Sequence, residues 1–493
     1  MSIDARFLTF DLGAESGRAV LGTFRDGKMT LDETHRFLNE PQWILGNFYW
    51  DILRLFAEIK HGLSRTIRDH GPTIDGLGVD TWGVDFGLLD ANDELLGMPR
   101  HYRDHRTDGI MEEAFAIVPK DQLYKTTGIQ LMQFNTIFQL FAMRKTDFSL
   151  LDQARSLLTT PDLLNFWLTG RKVNEFTITT TTQCYDPMKE DWARDLMERL
   201  GLPTHFLGEI VPPGTKLDTL HESVKMETGA HSIPVIAPAC HDTGSAVAAV
   251  PADTKSGWAY VSCGTWSLVG VEVPAPIINQ QTLEFNLTNE GGVNKTYRLL
   301  RNVMGLWLLQ RCKRSWEKSG YVYDYSELAA MGERAPAFSA IVDPDDPAFL
   351  NPSDMPTAIA EYCSRTGQTA PADVASMVRC ILESLALKYR WVIEMLEKVT
   401  GEPIHTIHII GGGSRNQSLC QYAANATGKR VLAGPVEATA AGNILVQAMA
   451  CGVFPSLEEG RKVVRKSFPL VEYSPRDSEE WEEPYRKMMR LLQ

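Results

Sequence analysis

The period of apolar and polar positions changes several times along the chain. Residues 7–13, FLTFDLG, are short and almost continuously apolar, the pattern of a buried strand. Residues 13–17 form a glycine-bounded turn and 18–24 a second strand. Asp26-Gly27 is a two-residue hairpin signal, and 29–36 continues as a third strand, so the chain opens with an antiparallel meander. Further strands are predicted near 77–80 and 84–89. From about Met111 the pattern turns helical, with loops between. Residues 258–271, WAYVSCGTWSLVGV, repeat the opening theme of strand, glycine turn and strand, roughly 250 residues later. Two similar hairpins half a chain apart point to two related domains.

The last third reads as α/β. Val378, Ile381, Leu382, Leu385, Tyr389 and Val392 mark one face of a helix over 374–398, with Pro371 suited to its start. Residues 406–410 form a short buried strand. Gly411-Gly412-Gly413 follows, with Ser414 as the expected N-cap of a helix over 415–427, Gly428 beyond its end and a strand over 429–432. This is a βαβ unit with a glycine loop.

Composition narrows the picture. The chain has 493 residues, 44% apolar and 23% charged, which suits two to four globular domains and excludes collagen, a disordered chain and a simple coiled coil. The net charge of −13 runs against a nucleic-acid partner, which needs basic surface. Eight cysteines contain no CxxC pair, so neither a zinc knuckle nor a thioredoxin-like site is indicated. The N-terminus lacks the apolar region of a signal peptide, and no apolar run is long enough for a membrane span. The expectation is a soluble, cytoplasmic protein without membrane association; monomer and dimer are equally compatible with the sequence.

Several segments carry candidate chemistry. Residues 22–28 match GxxxxGK, but Met29 stands where a P-loop needs Ser or Thr, and a strand follows instead of a helix, so this reads as a hairpin turn. Asp11 ends a strand, where its carboxylate can organise hydrated magnesium. The turn behind it, with Arg18, can meet phosphate oxygens, although a side-chain-capped hairpin has the same pattern. The triple glycine can admit a nucleotide close to backbone or serve as a tight turn. His241-Asp242-Thr243 follows an apolar strand and precedes a small-residue helix; Asp242 there is a general base or an N-cap. Trp82, between Asp80 and Asp85, suits sugar stacking or a buried Trp with turn acids.

Taken together, Asp11 to Arg18, Gly264-Thr265 and Gly411-Gly412-Gly413 resemble the two phosphate motifs and the adenosine motif of the actin, Hsp70 and sugar-kinase superfamily. With His241-Asp242-Thr243, Asp80 to Phe86, Asn289-Glu290-Gly291-Gly292 and Gly434 to Ala438, the chain resembles the FGGY carbohydrate kinase family nearly end to end. The resemblance implies an α/β protein of two ribonuclease-H-like domains, 1–246 and 247–493, around a central cleft. It implies ATP-dependent phosphorylation of L-rhamnulose at its 1-hydroxyl, with ATP and Mg²⁺ as cofactors. Residue by residue, Asp242 corresponds to the catalytic base, and Gly83, His241, Thr243 and Asn302 to sugar contacts. Ala14, Glu15, Ser16, Gly17, Arg18, Thr265, Gln310 and Gly412 correspond to ATP contacts, and Asp11 to the acid that organises magnesium. Glu15 departs from the pattern: glycerol kinases carry a small hydroxyl residue there, and an anion repels phosphate unless it points away or faces the metal. Rival readings are a kinase for L-fuculose or L-xylulose, an actin- or Hsp70-like ATPase, and a non-catalytic sugar-binding regulator.

Overall fold

The computed structural model describes residues 4–146, 148–254 and 256–492. These form two compact units. Unit 1 is the chain up to Ala249 with Glu272–Leu299 and Ala438–Ser467; unit 2 is Val250–Val271, Leu300–Glu437 and the chain from Phe468 onward. Two stretches from the second half of the sequence thus fold with the first half.

In chain order the strands used below are β1 (Ala5–Leu12), β2 (Ser16–Arg25), β3 (Lys28–Leu38), β4 (Gly76–Thr81), β5 (Thr215–Thr219), β6 (Pro234–Ala237), β7 (Trp258–Cys263), β8 (Trp266–Val273), β9 (Tyr297–Met304), β10 (Thr406–Ile410), β11 (Arg430–Ala433) and β12 (Val471–Tyr473). The helices are α1 (Ile52–His70), α2 (Phe176–Thr181), α3 (Asp242–Ala248), α4 (Trp307–Lys318), α5 (Val374–Thr400), α6 (Gln417–Thr427) and α7 (Ala438–Ala450).

The sheet of unit 1 runs β5-β6-β4-β1-β2-β3. β1 pairs antiparallel with β2 and parallel with β4, while β6 is parallel to β4 and β5 antiparallel to β6. The central strands are buried on both faces, hence their unbroken apolar runs. Asp26 and Gly27 both take left-handed backbone (φ 51° and 70°), the geometry a two-residue hairpin requires. α1 covers one face through Ile52, Leu55, Ile59 and Leu63 against Leu8, Phe10 and Val79. α7 approaches closely because β4 presents Gly76 and Gly78; a Cβ on Gly78 would lie 2.7 Å from the Asn443 side chain.

The second sheet has seven strands: Thr288–Gly291 lies at its edge beside β9, and from there the order is β9-β8-β7-β10-β11-β12. β7 is antiparallel to β8 and parallel to β10, β11 is parallel to β10, and β12 is antiparallel to β11. Read from β12 to β9, this repeats the order of the first sheet from β5 to β3 with the senses just given, so the two hairpins noticed in the sequence are the starts of two related sheets.

Some local expectations differ from the structure. The helix over 374–398 is α5, but its cap is Asp373 in a capping box with Ser376; Pro371 lies ahead of it. Ser414 is not a cap, because residues 412–415 form a 3₁₀ turn in which its hydroxyl donates to the Gly411 carbonyl at 2.7 Å. Asn416 caps α6 instead, accepting from the Leu419 N–H, and Gly428 ends it in the left-handed region. The strand over 84–89 begins only at Phe86, because Val84 has φ 67°. All eight cysteines are free, and no described helix is long and apolar enough to cross a membrane.

Candidate active site

In unit 1 the carboxyl ends of β1, β4 and β6 bring together Asp11, Asp80 and the segment Cys240-His241-Asp242-Thr243. Asp11 and Asp80 are register partners on adjacent parallel strands, and the Thr81 N–H donates to the Cys240 carbonyl at 2.9 Å. Strand ends of an open α/β sheet are where ligands bind in such folds, because loops and helix N-termini converge there.

α3 starts at Asp242 itself; His241 is the N-cap residue and makes no capping bond, which removes the capping alternative for Asp242. The Asp242 Oδ1 accepts from the Thr243 N–H and from its hydroxyl at 3.1 Å, and lies 3.5 Å from His241 Nε2. Oδ2 carries no hydrogen bond among the described residues, so one oxygen is anchored and the other is open to a substrate hydroxyl. Burial first, then the charge of Asp11, pushes the Asp242 carboxyl above its usual range, and His241 opposes this. Cys240 is a buried, inert thiol, raised by burial and by the neighbouring acids.

Asp11 is paired through Oδ2 with Arg18 Nη2 (2.7 Å) and Nε (3.0 Å), leaving Oδ1 outside the pair. Asp80 is fully buried, with Oδ2 bound by the Asn443 amide, while its Oδ1 accepts no hydrogen bond among the described residues. Burial first, then the adjacent Asp11, pushes the Asp80 carboxyl well above the usual carboxylate range. No cluster of three or more His, Cys, Asp or Glu side chains among the described residues is arranged to hold a metal. The donor set at Asp11 nevertheless fits Mg²⁺, which is bound by one or two carboxylates together with substrate phosphates rather than by an all-protein cage.

The turn before β2 is fixed by the Gly13 N–H on the Ser16 carbonyl and the Asn39 N–H on the Glu15 carbonyl, both at 2.9 Å. Ala14 packs on the core of unit 1. Gly17 is required by packing, since a Cβ there would lie 2.3 Å from the Phe37 ring. Gly83 sits against Thr181 of α2, and the strained Val84 beside it is held by its N–H on Thr181 Oγ1 at 3.1 Å. Trp82 and Asp85 take the structural alternative: Trp50 and Trp82 donate to the same buried Asp85 oxygen at 2.6 and 2.9 Å, and Gln139 to the other at 3.0 Å. Burial raises the Asp85 carboxyl to about 6.

Unit 2 carries the remaining expected residues. Thr265 lies in the turn between β7 and β8, where its carbonyl accepts from the N–H groups of Gly305 and Trp307. Gln310, on α4, has a buried Oε1 that accepts no hydrogen bond among the described residues, a site for an incoming donor. Gly411 takes φ 81° and Gly413 presses on Cys263, but a Cβ on Gly412 would meet nothing within 4 Å. Gly411 and Gly413 build the turn, and Gly412 is its open face. Asn302 is on β9, half-buried.

Several residues that shape the site were not singled out by the sequence patterns. Glu175 caps α2, accepting from the N–H groups of Thr177 (2.9 Å), Ile178 (3.2 Å) and Cys240 (3.1 Å), and burial raises it to about 7. It ties the segment 240–243 to α2, yet Glu is not a preferred cap, so its position before Phe176 gave no signal. Asn443 comes from the far end of the chain.

Comparison with known proteins places the chain in a family. The FGGY family of carbohydrate kinases matches twice, its N-terminal domain over residues 6–249 and its C-terminal domain over 259–451. The chain is 46% identical over 479 residues to a rhamnulokinase of Bacteroides thetaiotaomicron, covering 97% of this chain and 98% of that one. A rhamnulokinase of Oceanobacillus iheyensis is 43% identical over 467 residues, with 95% and 98% covered. Among solved structures, a gluconate kinase from Lactobacillus acidophilus superposes with a TM-score of 0.81 at 16% identity, covering 99% of this chain and 98% of that one. The Plasmodium falciparum glycerol kinase with ADP gives 0.78 at 16%, with 99% and 98% covered. These two share the fold. With both family domains matched and relatives aligned over nearly its whole length, the chain belongs to the FGGY family of carbohydrate kinases and is a carbohydrate kinase.

Proposed function

We propose that this kinase transfers the γ-phosphoryl group of ATP to the 1-hydroxyl of L-rhamnulose, giving L-rhamnulose 1-phosphate and ADP, a step in L-rhamnose breakdown. The observation that carries the substrate is the near full-length identity to rhamnulokinases of 46% and 43%. In this reading 1–246 and 247–493 act as the two functional domains of a cytoplasmic enzyme. Asp242 is the base: its open Oδ2 accepts the hydroxyl proton while the anchored Oδ1 fixes its direction. His241, Thr243, Gly83 and Asn302 orient the sugar. Ala14, Ser16, Gly17, Arg18, Thr265, Gln310 and Gly412 contact ATP, with Glu15 in the same turn. Asp11 would hold Mg²⁺, which would neutralise charge on the phosphate oxygens. Phosphoryl transfer needs this positioning and neutralisation more than covalent help.

The test is ADP release by the purified protein with ATP and Mg²⁺, comparing no sugar with L-rhamnulose, L-fuculose, L-xylulose, L-ribulose and glycerol. Strong preference for L-rhamnulose is expected. Preference for another ketose moves the substrate and keeps the mechanism. Sugar-independent turnover, or none, overturns the reading in favour of an ATPase or a regulator.

A further inference from the structure

The hairpin 288–299 comes from the second half of the chain but folds with unit 1. It carries two fully or nearly fully buried charges, Glu290 and Arg298, to the back of His241. The Arg298 guanidinium is held by three groups. Its Nε donates to the Gly291 carbonyl at 2.9 Å, and its Nη2 lies 3.1 Å from His241 Nδ1 and 3.3 Å from Glu290 Oε2. On the other side of the ring, His241 Nε2 faces Asp242 Oδ1 at 3.5 Å. The frame is rigid. The Gly291 N–H donates to Thr180 Oγ1 at 2.8 Å and the His241 N–H to Thr177 Oγ1 at 3.2 Å, so hairpin and histidine are pinned to the same helix, α2.

An arginine has donors only, so the ring nitrogen it reaches must accept. We propose that Arg298, with Glu290 as its counter-charge, is a positioning residue that fixes His241 with Nδ1 as acceptor and Nε2–H toward Asp242. Nε2–H then steadies the anchored oxygen of Asp242 and keeps Oδ2 aimed at the sugar hydroxyl. Glu290 Oε2 lies 3.2 Å from Nδ1 and 3.3 Å from Nη2, where it balances the Arg298 charge, while the approach of Nη2 to Nδ1 at 3.1 Å has the geometry of a hydrogen bond. The second-half hairpin is therefore part of the catalytic frame of the first half. This rests on the assignment of Asp242 as base.

Two measurements test it. The first needs no substrate: a ¹⁵N-histidine spectrum of the whole protein, with His241→Gln to assign the signal. The expected ring has Nδ1 bare and Nε2 protonated at mildly alkaline pH, and Arg298→Met mixes the two tautomers. A wild-type His241 protonated on Nδ1 overturns the proposal even if Arg298→Met fails to fold. The second is kinetic. Loss of one charge-assisted hydrogen bond predicts that Arg298→Met lowers kcat/KM for L-rhamnulose by about 10- to 100-fold, with KM for ATP changed by less than about threefold. Arg298→Lys, which keeps a donor, recovers most of that loss. An Arg298→Met enzyme at wild-type kcat/KM overturns the proposal, as do equal losses in both variants accompanied by a raised KM for ATP. If no sugar stimulates ADP release, the functional reading fails, while the tautomer result still decides this one.

Discussion

Gly442 on α7 lies directly against the Ser245 carbonyl on α3: a Cβ at residue 442 would sit 1.7 Å from that oxygen and 3.3 Å from the Ala249 nitrogen. α3 begins at Asp242, so the proposed base is seated by a helix nearly two hundred residues further along the chain. The contact is backbone to side-chain-free backbone, and neither partner has a flexible end that can yield.

Gly442→Ala therefore forces α7 away from α3. Overpacking of this kind costs about 1–3 kcal/mol. Urea denaturation should show the loss, and sugar-dependent turnover should fall further than stability alone explains, since a shift of about 1 Å at a catalytic group costs up to about 100-fold. Wild-type stability with full turnover would show that the helices separate freely.

Asp242→Asn should fold normally, because its Oδ1 keeps the Thr243 donors. ATP binding, read by calorimetry, should persist, and L-rhamnulose-dependent ADP release should drop by about 10²- to 10⁴-fold, the range for a general base. Near-normal turnover would remove Asp242 from that role.

The glycine loop separates folding from binding. Gly413→Ala places a Cβ 2.1 Å from Cys263 Sγ and should destabilise unit 2 by about 1–3 kcal/mol. Gly412→Ala meets no atom within 4 Å and should leave stability within about 0.5 kcal/mol. Only the second should raise KM for ATP without lowering the thermal midpoint; equal effects on stability would refute the distinction.

Asp85 gives a pH-dependent stability. Burial raises its carboxyl from 3.8 to about 6 in the folded protein, so the folded state binds the proton more tightly than the unfolded one. Stability from this group is full below about pH 4 and declines as pH rises to about 6, by on the order of 3 kcal/mol. Asp85→Asn has no such titration, so its cost relative to wild type should be larger at pH 4.5 than at pH 7.5. Urea midpoints at the two values check the sign. Asn also turns an NH₂ toward a site where Trp50, Trp82, Gln139 and the Tyr102 N–H all donate, so a net loss is expected at both.

By itself the sequence determined the local elements and the chemistry-bearing turns. The apolar run of residues 7–12, the left-handed pair Asp26-Gly27, the repeat at 258–271 and the βαβ unit around Gly411 to Gly413 are set by short-range sterics and burial period, which are visible in neighbouring residues. Asp11, the 13–18 turn and His241-Asp242-Thr243 were readable for the same reason. Within that frame, helix N-caps were not legible: Asp373 went unread behind Pro371, and it caps α5. Ser414 and Asn416 both qualify, and the 3₁₀ turn decided for Asn416. What tertiary structure alone decided is which distant residues complete the site. Asn443 on Asp80, Gly442 against Ser245, Glu175 on the Cys240 N–H, and Arg298 behind His241 join positions from 57 to 363 residues apart. Such partners are chosen by close packing and by the need to satisfy buried polar groups, and neither leaves a periodic trace in the chain.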